Sequence, residues 1–143
     1  MKVIQKCSFK SYDRVEVKMT SIHDIFDEET CNQIMGLVHL GQCHDNAFWI
    51  AGELWEKGCV YCEGILNGRL AHCFNCIDGK YFDATAEKYF GGSNDSYQLV
   101  RVFTYPEIQP VFSTVMASFF TPMGCWMKGK HYFVNDNGEL IKE

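Results

Sequence analysis

Three residues of this chain have side chains that could act together on a carbonyl carbon: Cys43, His72 and Asp83. Cys43 follows Gly41-Gln42 and precedes His44-Asp45-Asn46-Ala47-Phe48-Trp49-Ile50-Ala51, which reads as the start of a half-buried helix. A helix N-terminus stabilises an anion through its unpaired N–H groups and its dipole. A thiol in that position has a lowered pKa and a larger thiolate fraction. An imidazole nearby can hold the proton, and a carboxylate can fix the imidazole's tautomer. The chemistry expected of the set is acyl transfer, with Cys43 as nucleophile, His72 as general base and then acid, and Asp83 orienting His72. Each residue alone has a plainer use. A cysteine at a helix start is usually incidental, and a histidine in an apolar strand is usually core. Asp83, in Asp83-Ala84-Thr85-Ala86-Glu87, is also good cap chemistry for a following helix.

The elements that must position these residues follow from patterning. Residues 2–19 alternate loosely and predict one or two strands, with Ser11-Tyr12-Asp13-Arg14 as a turn. Cap-type residues from Thr20 and apolar spacing at Ile34, Met35, Leu37 and Val38 predict a helix over 27–39, stopped by Gly41. A second helix is expected over 42–57, with Gly58 as its C-terminal cap and Cys43 in its first turn. Residues 59–66, 69–77 and 80–85 read as three strands, joined at Asn67-Gly68 and Asp78-Gly79 by two-residue hairpin turns. A short helix or turn ends at Gly91-Gly92, residues 97–105 form another strand, and Pro110 interrupts any helix over 107–120. A hairpin closes the chain around Asn137-Gly138.

The second hairpin has a geometric consequence. With Asp78 and Gly79 as turn residues, Ile77 faces Lys80, Phe74 faces Asp83 and His72 faces Thr85. His72 and Asp83 then share a face, diagonally across adjacent strands, with Cβ atoms about 7 Å apart. An imidazole and a carboxylate can bridge that gap.

At these residues the chain resembles the transglutaminase-like branch of the papain-like cysteine proteases. Gly41-Gln42-Cys43 is similar to the Gly-Gln-Cys that heads the family's nucleophile helix. His72-Cys73-Phe74-Asn75 resembles the His-x-Trp-Asn run around its histidine, and Asp78-Gly79-Lys80-Tyr81-Phe82-Asp83-Ala84-Thr85 its segment with the catalytic aspartate. Phe74 stands where the family has Trp, and Ala84 where it has Pro. The resemblance covers about 41–90 of a single domain, 1–143. It implies an α+β, papain-like fold in which the nucleophile helix packs on a small antiparallel sheet. It also implies a catalytic triad and a thioester formed from a peptide or side-chain amide, as in proteases, deamidases and transglutaminases, with no cofactor. The backbone N–H of Cys43 is the natural oxyanion donor, and Gln42 or Gln33 could supply a second. His44, about 100° around the helix from Cys43, is a poorer base than His72 but could line the cleft.

The rival pattern is Cys59-x-x-Cys62…Cys73-x-x-Cys76, which resembles a short zinc ribbon and would make the chain an interaction module. Val60-Tyr61 and Phe74-Asn75 are strand formers and not knuckle residues, and on strands the two cysteines of each pair point to opposite faces. A catalytically inactive relative that binds a partner is the other alternative. Composition narrows the field further. The chain's 143 residues are 47% hydrophobic with a net charge of -5, and they lack any run of Lys or Arg, so nucleic acid is not an expected partner. No stretch reaches the length of a membrane span, and the N-terminus lacks a signal peptide's apolar core, so a cytoplasmic enzyme acting on a protein or peptide is expected. Its eight cysteines would then be reduced.

Overall fold

A computed structural model describes residues 10–91, 95–114, 132–134 and 140–142. Five strands form one antiparallel sheet: β1 (Lys10–Val17), β2 (Val60–Leu66), β3 (Leu70–Ile77), β4 (Lys80–Phe82) and β5 (Tyr97–Phe103), in the order β1-β5-β2-β3-β4. The segment leaving β1, at one edge, returns to β4 at the other. Met19 bridges Tyr81, and the Thr20 N–H donates to the Tyr81 carbonyl at 2.6 Å. Two edges can meet in this way only if the sheet is strongly curled. The helices are α1 (Ile22–Ile25), α2 (Glu28–Leu37), α3 (Cys43–Glu53), α4 (Ala84–Phe90) and α5 (Tyr105–Thr114). Tyr132–Val134 (β6) pairs with Leu140–Lys142 (β7), while the expected turn at Asn137-Gly138 lies outside the described residues, as do residues 2–9.

Two apolar layers flank the sheet. On one face Ala47, Phe48 and Ala51 of α3 and Ile108 of α5 pack on Tyr61, Cys73 and Phe103. On the other, Cys62, Phe74, Tyr97 and Leu99 pack together inside the curl. A third cluster, from Ile22, Ile34 and Ile50 to Ile77 and Phe82, joins α1, α2 and α3 to the end of β4. Among the described residues no helix is long and apolar enough to cross a membrane.

Several boundaries differ from expectation, each for a local reason. The first strand is continuous, because Arg14, at φ 47°, makes a bulge where a turn was expected. Asp27 caps α2 by accepting from the Thr30 N–H, and the helix ends at Leu37, before Gly41. Its last carbonyls are satisfied from α4: Lys88 Nζ donates to the carbonyls of Met35 (2.6 Å) and Val38 (2.8 Å). The helix expected over 42–57 is α3 followed by a separate 3-10 turn, Trp55–Lys57, capped by Gly58 at φ 84°. Pro110 does not interrupt α5. Thr104 and Glu107 form a capping box that starts it: the Thr104 N–H and hydroxyl both donate to Glu107 Oε1 at 2.8 Å. Pro106 falls in the first turn, where no N–H partner is needed.

The two hairpins behave differently. At Asp78-Gly79 both residues have positive φ, and Ile77 faces Lys80 as the sequence predicts. At Asn67-Gly68 the closing bond forms, from the Arg69 N–H to the Leu66 carbonyl at 3.2 Å, but Arg69 stays out of the ladder. The loop therefore has three residues, Leu66 pairs with Leu70, and Glu63 lies opposite Cys73. Gly64 lies opposite His72 beside an irregularity in the β2–β5 register. A Cβ there would meet the Gln98 carbonyl oxygen at 2.3 Å, so this strand crossing admits glycine alone.

Candidate active site

β4 pairs with only the last three residues of β3, so Leu70–Phe74 form an open edge of the sheet. Against this edge lie the first turns of α3 and α4. Cys43 is the first residue of α3, where its backbone N–H has no intrahelical partner. Asp83 caps α4. It is not a strand residue, so the expected Phe74–Asp83 and His72–Thr85 pairs do not form. The cap geometry does the work that was expected of the strand. Asp83 Oδ1 accepts from the Ala86 N–H at 3.1 Å, which leaves Oδ2 to meet His72 Nε2 at 2.7 Å. The capping and orienting readings of Asp83 thus occupy different oxygens of one carboxylate.

The three elements are cross-tied by buried side-chain amides. Asn46 Nδ2 donates to Thr85 Oγ1 (2.9 Å) and to the His39 carbonyl (2.8 Å), and its Oδ1 accepts from the His39 N–H (3.0 Å). This pins the loop ahead of Cys43 and joins α3 to α4. Asn75 Nδ2 donates to the Ala47 carbonyl of α3 (2.8 Å) and the Val60 carbonyl of β2 (3.1 Å). The motif residues Asn75 and Thr85 are therefore fasteners around the site.

Cys43 is half-buried and packs against the cluster that contains Cys73. Its pKa is lowered from 9.0 to about 2: polar interaction with Cys73 lowers it most, burial opposes this, and His44, His72 and the His72 charge add to the lowering. For His72, burial pulls the pKa down, but hydrogen bonds to Asp83 and Cys43 and the charges of both raise it to about 10. Both shifts favour the same form of the pair, thiolate with imidazolium. The other thiols behave oppositely: burial pushes Cys59 up to about 12, and Cys62 and Cys73 well up.

Of the other expected residues, Gln42 is exposed at the N-cap position of α3 without a capping bond. Gln33 does not belong to the site. Its amide donates to Glu53 Oε1 at the far end of α3, about 15 Å of helix rise away from Cys43. The four cysteines of the zinc pattern do not converge. Cys73 faces α3, Cys62 and Cys76 lie on the opposite side of the sheet, and Cys59 sits in the helical cluster. Among the described residues no three His, Cys, Asp or Glu side chains are grouped to hold a metal ion.

Other residues at the site were not marked by their sequence. Tyr97 donates its hydroxyl to Asp83 Oδ2 at 2.6 Å, and its ring lies 5.9 Å from the His72 ring. Behind Cys73, the Tyr61 hydroxyl lies 3.1 Å from Sγ and 3.0 Å from Oε2 of Glu63, a fully buried carboxylate beside Arg101. A charge inside the apolar run Val60-Tyr61-Cys62-Glu63-Gly64-Ile65-Leu66 is the signal that could have found this chain of contacts.

Asp83→Asn separates orientation from fold, since Asn is as good a cap as Asp. The thermal midpoint is expected to move little. The pKa of His72, about 10 in the native chain, is expected to fall by about one unit as that support for the imidazolium is lost, read from the His72 ring protons by NMR titration. An unchanged titration would make the His72–Asp83 contact purely structural.

No family model matches the chain, and no curated protein or solved structure matches it.

Proposed function

We propose that the chain is a papain-like, transglutaminase-like acyl-transfer enzyme that attacks peptide or side-chain amides through Cys43. The observation that carries the reading is the 2.7 Å His72–Asp83 hydrogen bond at the open edge of β3, against which the α3 N-terminus bears Cys43; the mutual pKa shifts of Cys43 and His72, thiol down and imidazole up, support it. The Cys43 thiolate attacks the carbonyl carbon. The oxyanion that forms meets the backbone N–H of Cys43 at the α3 N-terminus, with the exposed Gln42 amide beside it. The imidazolium of His72 gives its proton to the leaving amine, and a thioester remains on Cys43. Neutral His72 then takes a proton from water or an acceptor amine, which releases the acyl group. Asp83, held by Ala86 and Tyr97, keeps the His72 ring turned towards Cys43 throughout.

The direct test uses p-nitrophenyl acetate as a generic acyl donor. A burst of p-nitrophenolate stoichiometric with protein is expected, with an acetyl group mapped to Cys43 and removed by neutral hydroxylamine. No burst, or acetylation spread over lysines, would overturn the acyl-transfer reading and leave a partner-binding module.

A further inference from the structure

The acyl-transfer reading uses Cys43, His72 and Asp83 and leaves a second thiol at the site without a task. Cys73 is buried in the cluster beneath the α3 N-terminus against which Cys43 packs, and its Sγ lies 3.1 Å from the Tyr61 hydroxyl. A buried thiol among apolar groups is inert. This one has a proton path: once Cys43 is no longer a thiolate, the Tyr61 oxygen can accept from the Cys73 S–H while its own O–H donates to Glu63 Oε2 at 3.0 Å. A buried carboxylate is costly to keep, and this one ends a relay that begins at a thiol in the cluster against which the nucleophile packs. The other described thiols lie outside that cluster. Cys62 and Cys76 lie across the sheet, and Cys31 and Cys59 lie in the helical cluster.

We propose that Cys43 and Cys73 form a peroxide-responsive pair in which hydrogen peroxide oxidises Cys43 and Cys73 resolves the product to a disulfide between α3 and β3. The inference rests on the ionised Cys43 of the acyl-transfer reading and not on any acyl substrate. In the first step the Cys43 thiolate attacks one peroxide oxygen. The O–O bond breaks, Cys43 becomes a sulfenic acid, and the departing hydroxide takes the His72 proton to give water. In the second step Cys73 attacks the Cys43 sulfur. Its proton leaves through Tyr61 towards Glu63, the S–O bond breaks, and the displaced hydroxide recovers that proton as a second water. Two sulfurs lose two electrons in all, and one peroxide is reduced to two waters. Cys43 already packs against the buried cluster that contains Cys73, so the two thiols sit on facing elements, the first turn of α3 and β3. The disulfide removes the nucleophile until a dithiol restores it, and it protects Cys43 from irreversible sulfinic acid.

The test treats the full reduced chain with one molar equivalent of hydrogen peroxide, blocks free thiols, and maps a non-reducing digest by mass spectrometry. A Cys43–Cys73 linked peptide, removed by dithiothreitol, is the expected product. Tyr61→Phe is expected to lengthen the life of the sulfenic state, trapped with dimedone, by at least about tenfold. Cys43 accumulating as dimedone adduct or sulfinic acid in the wild type, or pairing with any other of the eight cysteines, overturns the proposal. Iodoacetamide labelling of an untreated aliquot separates the two readings. Fast labelling of Cys43 with no linked peptide overturns the disulfide and spares the acyl-transfer reading, whereas slow labelling overturns both.

Discussion

Replacing His72 by alanine is expected to turn a nearly pH-independent thiol into an ordinary one. In the native chain the Cys43 pKa lies at about 2 and that of His72 at about 10. The sign follows from the directions of these shifts. A depressed thiol is charged above its pKa, a raised imidazole is charged below its own, and the pair is ionised throughout pH 5 to 9. The alkylation rate of Cys43 should be almost level over that window. Without the imidazolium, the Cys73 thiol, His44 and the helix N-terminus remain; Cys73 has the largest lowering effect in the native chain, but a neutral thiol is a weak donor and does not replace the full positive charge of His72. The thiolate fraction should then climb about tenfold per pH unit towards a pKa near 8.5. The ratio of rates at pH 9 and pH 5 is expected to rise from about one to at least about one hundred. The ratio is a better readout than the rate at one pH. A low-pKa thiolate is a weaker nucleophile, so gains in ionisation and losses in reactivity partly cancel. A flat profile in His72→Ala combined with a steep one in Cys73→Ala would move the credit for ionisation from His72 to Cys73.

What the sequence disclosed and what it concealed have different physical origins. Cys43 at a helix start, and the pairing of Ile77 with Lys80 across Asp78-Gly79, rest on local signals: a glycine before an apolar period, and a dipeptide that tolerates positive φ. The His72–Asp83 contact was legible for a reason that proved different in detail. The expected diagonal across two strands is a strand residue meeting a helix cap, because β4 ends at Phe82. Asn67-Gly68 misled, since the same dipeptide chemistry serves a two-residue turn and a three-residue loop. That single residue matters. A two-residue turn would put Glu63 opposite His72 and Cys62 opposite Cys73, whereas the observed register sets Glu63 opposite Cys73 and both on the face under α3. The Tyr61–Glu63–Cys73 contact was therefore hidden by one unpaired arginine. Tyr97 and Asn46 were hidden for another reason. Their partners lie 14 and 39 residues away, and no local pattern reports a buried hydroxyl or amide that fastens two distant elements.

The chain beneath Cys73 also sets the largest expected stability effect. Glu63 is 0% exposed and Arg101 4%, with Nη1 4.0 Å from Oε1. Burial holds the Arg101 guanidinium below its usual pKa, with Glu63 opposing. Such a pair contributes little net stability relative to apolar residues of similar shape, since the cost of removing two charges from water offsets their attraction. Removing one partner is different. Arg101→Met should leave the Glu63 carboxylate in the core without its guanidinium neighbour, at a cost of about 3 kcal/mol. Urea unfolding measures it directly. In the double variant Glu63→Gln/Arg101→Met the buried charge is gone, and most of the loss should return. The cycle separates two roles for this pair. If Arg101→Met costs less than about 1 kcal/mol, Glu63 is not a charge that needs Arg101, and its position behind Tyr61 loses the argument from cost. If the single variant is costly and the double variant recovers stability while forming the Cys43–Cys73 disulfide more slowly, the core is keeping an expensive carboxylate for its effect on Cys73.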